Sequence, residues 1–181
     1  MIPAIFFFSI GMIPAFFIIV LRGNVGTDTA VYLQMVLDIL SGMEVDTEYG
    51  FVLVVKFFDF LGFNSHFIVN FISGFVVIYS VFIFSSSREK FCVFVMLIFP
   101  YFLYDMSMNG IRYGVSFLLA FHAAIAYKNK DIVFTCFLIV LSIAMQMSGI
   151  LVFVLLLLPS FRKRDVFIIT IFISISVTFF Y

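Results

Sequence analysis

The sequence predicts an all-α fold, a polytopic transmembrane helical bundle with interfacial or re-entrant helices on its outer face. Of the 181 residues, 65% are hydrophobic and 11% are charged, and 29 are phenylalanine. A water-soluble fold has too little polar surface to cover so much apolar side chain. Apolar runs of helical length recur without the alternating pattern of a transmembrane barrel. Helices that satisfy their own backbone are therefore the expected spanning elements.

The basic residues are sorted along the chain, and this sorting predicts the topology. Most of them lie in three short loops, at residues 88–90, 128–130 and 162–164. Because cytoplasmic loops are enriched in Lys and Arg, we place all three loops in the cytoplasm. The crossings then alternate without conflict and leave the N-terminus in the cytoplasm. The segments that carry most of the carboxylates face the opposite side.

We expect one transmembrane domain over residues 1–181. Residues 1–21 lack the basic region and the cleavage site of a signal peptide, so they are interpreted as a retained first span. Residues 131–158 overshoot a single crossing and are interrupted at Gln146, which favours two short helices. The expected spans are 2–20, 66–84, 91–103, 110–127, 131–145 with 147–159, and 166–181.

Two further segments, 29–42 and 51–63, are predicted to lie at the outer interface or to re-enter from it. The first is amphipathic, and the second is interrupted by Lys56 and Asp59. At about 1.5 Å per residue, neither covers a hydrocarbon core about 30 Å thick.

Composition and motifs argue against several classes of function. The formal net charge is zero, which argues against a polybasic surface for nucleic acid. The sequence contains no metal-ligand spacing, P-loop, dinucleotide-binding fingerprint or nucleophile elbow. Neither a metal nor a cofactor is expected. Cys92 and Cys136 lie within apolar runs and are interpreted as small buried hydrophobes rather than as a disulfide or a metal site.

The first polar cluster follows the first span and contains Arg22, Asp28 and Tyr32. The glycines at 23 and 26 let the backbone fold tightly, so that a cation and a carboxylate can lie close together. Tyr32 lies one helical turn after Asp28 and would share its face. The alternative is that Arg22 extends to the lipid headgroups and Asp28 caps a helix.

A second cluster, Glu44, Asp46 and Glu48, directly precedes an apolar helix. An acidic first turn stabilises a helix N-terminus, but three carboxylates within five residues exceed what capping requires. The alternative is a solvated loop, which tolerates these charges at little cost.

The third cluster is Asp105, Asn109 and Arg112, whose spacing would align them on one face of a continuous helix. An arginine at the start of an apolar helix suggests a functional site, and its planar guanidinium suits phosphate. The alternative is an Asp105–Arg112 ion pair that fixes a turn. The fourth polar point is Gln146, which can instead satisfy backbone groups freed at the helix break.

Four short motifs occur in order between residues 22 and 158. They are Arg22...Gly26-x-Asp28...Tyr32, Glu48-x-Gly50-Phe51, Asn109-Gly110-Ile111-Arg112 and Ala144-x-Gln146-x-Ser148. None is specific alone. As an ordered set within a membrane protein, they resemble the EpsG-like and Wzy-type bacterial polysaccharide polymerases.

The resemblance implies a membrane glycosyltransferase, similar to the lipid-dependent and usually metal-independent GT-C class. Such an enzyme joins oligosaccharide repeat units carried on undecaprenyl diphosphate at the outer face of the bacterial inner membrane. Its partners would be that lipid-linked oligosaccharide, the bilayer and a chain-length regulator protein.

The resemblance also implies roles for individual residues. Arg112, with Arg22, would neutralise the diphosphate of the leaving lipid carrier. Either Asp28 or Glu48 would deprotonate the acceptor sugar hydroxyl. The remaining substrate-binding residues would be Tyr32, Asn109 and Gln146.

Two features depart from the family pattern. The family usually has histidine where this chain has Gln146, which cannot act as an acid or a base. Family members usually continue for several more spans, so a chain truncated at its C-terminus is expected. The alternative functions are a flippase or transporter of lipid-linked sugars and a truncated, non-catalytic component of a polysaccharide assembly system. A flippase would require a polar path through spans that carry almost no charge.

Overall fold

The computed structural model describes residues 2–21, 23, 28–85 and 104–157. Over these residues the chain forms eight α-helices and no strand, which confirms the all-α prediction. Arg22, Cys92, the basic loops at 88–90 and 162–164, and the predicted spans 91–103 and 166–181 lie outside the described residues. The helices are α1 (Ile2–Val20), α2 (Thr29–Leu40), α3 (Tyr49–Phe60), α4 (Ser65–Phe84), α5 (Tyr104–Met108), α6 (Ile111–Lys128), α7 (Ile132–Met145) and α8 (Gly149–Leu157).

Helices α4 and α6 form the centre of this bundle. Helix α4 packs against α1, α2, α5 and α6, and α6 packs in turn against α5, α7 and α8. The buried face of α6 is rich in small residues, which let the backbones of neighbouring helices approach closely. These small residues are Gly114, Ser116, Ala120, Ala123, Ala124 and Ala126.

One of the described helices, Ser65–Phe84, is long and apolar enough to cross a bilayer by length and composition. It contains no charged residue. Shorter apolar helices cover Ile10–Val20, Thr29–Leu40 and Ile132–Met145. The number and the direction of the crossings stay predictions.

The third polar cluster does not lie on one continuous helix, so the alignment expected from its spacing is wrong. The backbone N–H groups of Asn109 and Gly110 both bond the Asp105 carbonyl and close α5. A new helix, α6, then begins at Ile111. Helix α5 lies tightly against α6, because a Cβ atom at Gly114 would be 2.6 Å from the Met106 carbonyl oxygen.

Cys136 is exposed on α7, so its interpretation as a buried hydrophobe is wrong. The buried residues of α7 are Thr135, Leu138, Ser142 and Met145. Their spacing of three and four places them on one helix face. Cys136 lies outside that face.

The break after α7 falls at the polar residues that interrupt the long apolar stretch. Helix α7 ends at Met145, Gln146 is extended with φ −162° and ψ 124°, and α8 begins at Gly149. The extended Gln146 turns the chain out of the helix and leaves the backbone groups of the break available to other segments.

Helix α3 rests on the last turn of α7 because residue 50 is glycine. A Cβ atom at this position would lie 2.5 Å from the Ala144 carbonyl oxygen and 2.9 Å from the Ala144 Cβ. Backbone contact of this kind leaves no space for a side chain. The contact places the start of α3 beside the break between α7 and α8.

We predict that Gly50→Ala lowers the free energy of unfolding by about 1–3 kcal/mol, because the added methyl group must displace the backbone of α7. The measurement is thermal unfolding of the purified protein in detergent. Gly11→Ala is the matched control, because a Cβ atom there meets no atom of the described chain within 4 Å. Equal melting temperatures for the two variants would contradict the close packing of α3 on α7.

Candidate functional site

Polar groups from three separate segments meet in an open cleft of about 550 Å³. The segments are the loop that leads into α3, the first turn of α6 and the break between α7 and α8. The cleft is lined by Asp46, Thr47, Glu48, Tyr49, Arg112, Ile143, Ala144 and Met147. The structure thus brings Asp46 and Glu48 of the second polar cluster and Arg112 of the third to one cleft beside the helix break. The other predicted residues, Glu44, Asp105, Asn109 and Gln146, are outside its lining.

The centre of the cleft is an ion pair between Glu48 and Arg112. Their Oε2 and Nη1 atoms are 2.5 Å apart, and the side chains are 24% and 15% exposed. The same Nη1 donates to the Thr47 hydroxyl. At this burial the charges are screened less than on an open surface.

Arg112 is therefore paired with Glu48, and the Asp105–Arg112 ion pair weighed as an alternative is wrong. Asp105 instead accepts a hydrogen bond from Asn109 Nδ2 at 3.0 Å. Glu48 precedes α3 at the N-cap position, but its side chain accepts no cap hydrogen bond. Its carboxylate reaches across to other segments.

Both oxygens of the Glu48 carboxylate have partners. Oε2 bonds Arg112, and Oε1 accepts from the backbone N–H of Met147 at 3.2 Å. The N–H is available because Met147 lies in the helix break. Two donors from different segments thus hold the carboxylate in one orientation.

Two aromatic residues pack behind the guanidinium. Arg112 Cζ lies 5.7 Å from the centroid of the Phe51 ring, a distance that allows a cation–π interaction. The Phe51 ring is fully buried and lies 6.2 Å from the ring of Tyr32. The positive charge of Arg112 also acts on the Tyr32 hydroxyl.

Burial raises the pKa of Tyr32 above its usual value, and the hydrogen bond and charge of Arg112 only partly oppose this effect. Tyr32 lies on α2, the segment that we expect at the membrane interface. Its hydroxyl is therefore a neutral group at physiological pH. A neutral phenol can accept from Arg112 and still donate its own proton to a bound oxygen.

Asp28 lies at the margin of the site. It precedes α2 at the cap position without a side-chain cap hydrogen bond, so the capping alternative is not what the structure shows. The side chain is exposed, and its charge acts on Tyr32, where it opposes ionisation. Arg22, the other charged residue of this first cluster, lies outside the part of the chain that the structure describes.

Three buried polar atoms have no hydrogen-bond partner within the described residues: Asn109 Oδ1, Arg112 Nε and Gln146 Oε1. An unpaired buried polar atom costs about 1–3 kcal/mol. All three belong to residues that the sequence singles out as substrate-binding. Each of them can bond an ordered water or a ligand atom.

Two groups that bond the ion pair are not predicted by the sequence, the Thr47 hydroxyl and the Met147 N–H. The Thr47 hydroxyl has no distinguishing pattern around it, although it directly precedes Glu48. The Met147 N–H is a backbone group, which every residue except proline offers. The only signal for it is the polar interruption of the apolar stretch, which marks where backbone groups leave a helix.

The similarity of this chain to known proteins extends along nearly its whole length. The model of the EpsG family matches residues 5–181. This confirms the resemblance carried by the four motifs. No curated protein and no solved structure matches the chain.

We predict that the Tyr32 hydroxyl titrates above the ordinary value of about 10. The measurement is the tyrosinate ultraviolet absorbance of the wild type minus that of Tyr32→Phe, as pH rises. Because the folded state favours the neutral phenol, its contribution to stability is complete below the unfolded pKa and is lost as pH rises through the folded pKa.

Arg112→Gln is the informative companion variant, since removal of the opposing charge should move the Tyr32 midpoint higher still. In denaturant, the midpoint should return to the ordinary value. A folded-state midpoint at or below that value would contradict the burial of this hydroxyl.

Proposed function

The chain belongs to the EpsG family, and on this premise we propose that it is a polysaccharide polymerase. In this proposal it joins undecaprenyl-diphosphate-linked repeat units at the outer face of the bacterial inner membrane, on a GT-C-like, multi-pass scaffold. Family membership and the apolar helices identify a membrane protein of polysaccharide biosynthesis. The observation that carries the finer proposal is the Glu48–Arg112 pair, which places a carboxylate beside a guanidinium in an open cleft.

Arg112 is assigned to the diphosphate of the leaving lipid carrier. When the bond between the anomeric carbon and the diphosphate oxygen breaks, negative charge develops on that oxygen. A guanidinium can bond two phosphate oxygens at once and keeps its charge at every physiological pH. Arg112 also lies in the first turn of α6, where the partial positive charge of the helix adds to its own.

Glu48 is assigned to the acceptor sugar. As the acceptor oxygen bonds to the anomeric carbon, its proton passes to the carboxylate. A bound diphosphate competes with Glu48 for Arg112, so it frees one carboxylate oxygen while Met147 N–H holds the other. Asp28 is the alternative base. The position of Glu48 in the cleft supports Glu48, because Asp28 is exposed and outside the lining of the cleft.

Two of the three unpaired atoms are assigned to sugar recognition. Asn109 Oδ1 and Gln146 Oε1 are acceptors, which suit sugar hydroxyls as donors. Tyr32 can donate to a sugar or phosphate oxygen. Gln146 is a binding residue in this scheme, because an amide neither takes up nor releases a proton at physiological pH.

Arg112→Ala, carried as the only copy in the cell, should abolish the ladder of polymer lengths in a gel of surface polysaccharide. Single repeat units should accumulate on the outer face of the membrane. Glu48→Gln should lower polymer formation by about 10²–10⁴-fold, the usual contribution of an acid or base.

Lys56→Ala is the matched control, since it removes an exposed cation of α3 that is outside the lining of the cleft. Its ladder should remain normal. A normal ladder in Arg112→Ala would refute the polymerase assignment of this residue. Single units trapped on the inner face would instead indicate a flippase.

A further inference from the structure

We propose that Ser116 and Ser142 are positioning residues for the Glu48 carboxylate. They hold the break between α7 and α8 against α6, so that the Met147 N–H points at Glu48. This inference rests on the proposed function, because it assumes that the orientation of Glu48 limits the reaction.

The two serines bond each other's helix. Ser142 Oγ donates to the Ser116 carbonyl oxygen at 2.8 Å, and Ser116 Oγ lies 2.9 Å from the Ser142 carbonyl oxygen. Ser116 Oγ also lies 3.0 Å from the carbonyl oxygen of Gln146, the first residue of the break. Both side chains are 1% exposed. Buried serines with this reciprocal arrangement fix the separation of two helices.

Glycine at position 149 brings the start of α8 onto this serine pair. A Cβ atom there would collide with the hydroxyl oxygens of both Ser116 and Ser142. The break is therefore held from two sides. The serine pair holds it against α6, and Gly50 seats α3 against Ala144, just before it.

The serine pair is connected to the ion pair through a short closed loop of hydrogen bonds and neighbouring residues. Ser116 follows Arg112 by four residues on α6, so both lie on the same face of that helix. Ser116 Oγ bonds the carbonyl oxygen of Gln146, and the next residue, Met147, donates its N–H to Glu48. Glu48 closes the loop by bonding Arg112. A shift of the break therefore changes the orientation of the carboxylate without removing any group from the cleft.

The first experiment compares Ser116→Ala and Ser142→Ala with wild type. The purified full chain is placed in vesicles of phosphatidylethanolamine and phosphatidylglycerol, with the lipid-diphosphate-linked repeat unit of the source strain as substrate. We expect kcat for polymer formation to fall about tenfold, because a misplacement of about 1 Å can cost up to about 100-fold. KM should change by less than about twofold, because both serines lie outside the lining of the cleft.

Ser80→Ala is the matched control. Ser80 is fully buried, and its hydroxyl donates to the Val76 carbonyl oxygen of its own helix at 2.7 Å. The Ser80→Ala variant also removes one serine hydroxyl from the core and should leave kcat unchanged. A loss in Ser80→Ala equal to that in Ser116→Ala would overturn the proposal, as would wild-type kcat in both Ser116→Ala and Ser142→Ala. Failure of both to accumulate in the membrane would assign the pair to folding and overturn it too.

The second experiment repeats Ser116→Ala in a Glu48→Asp background, where the carboxylate is withdrawn by one methylene. If Ser116 acts through Glu48, Ser116→Ala should lower kcat by less than about twofold in the Glu48→Asp background. In the wild-type background the same substitution should lower kcat about tenfold. An equal loss of kcat in both backgrounds would overturn the positioning role of Ser116 and would leave the proposed function standing. Wild-type activity of Glu48→Asp itself would overturn the role of Glu48, and the positioning role with it.

Discussion

The ion pair between Glu48 and Arg112 is the interaction on which the described structure of the site depends. Its two charges are far apart in sequence, since Glu48 directly precedes α3 and Arg112 lies in the first turn of α6. They meet because α3 packs on α7 and α7 packs on α6. Removing two charges from water is costly, and a pair of this kind does not by itself stabilise a fold. Its presence at 15% and 24% exposure is therefore better understood as a requirement of the site than of the bundle.

Small residues make this arrangement possible. Gly50 lets α3 touch the backbone of α7, and Gly149 lets α8 begin on the serine pair. Neither position has room for a Cβ atom, because it would collide with the Ala144 backbone at residue 50 and with two serine hydroxyls at residue 149. Among the described residues, Asn109 Oδ1, Arg112 Nε and Gln146 Oε1 are buried without a hydrogen-bond partner. One of these atoms belongs to the ion pair itself, so Arg112 keeps a donor that a ligand or a water can use.

The sequence predicts the helical class, the polar break near Gln146 and the residues of the ion pair, because hydrophobic composition and isolated charges in apolar surroundings are strong signals. It does not predict which charges pair. Helical spacing offers Asp105 as an alternative partner for Arg112, but the helix breaks before Ile111 and the partner is Glu48, which directly precedes α3. Neither Thr47 nor the Met147 N–H is predictable from the sequence, because tertiary packing gives each of them its role. The burial predicted for Cys136 is wrong because an apolar run does not show which of its helix faces is covered.

The most direct measurement is a double-mutant cycle on Glu48→Gln and Arg112→Gln, with unfolding followed in detergent. The account predicts an interaction energy of about 1–3 kcal/mol, because the two groups are in contact and partly removed from water. The exposed Gln34–Asp38 hydrogen bond on α2, at 2.7 Å, is the matched control pair, and it should give less than about 0.5 kcal/mol. Additive effects at Glu48 and Arg112 would show that the two side chains do not interact, and would contradict the site as described.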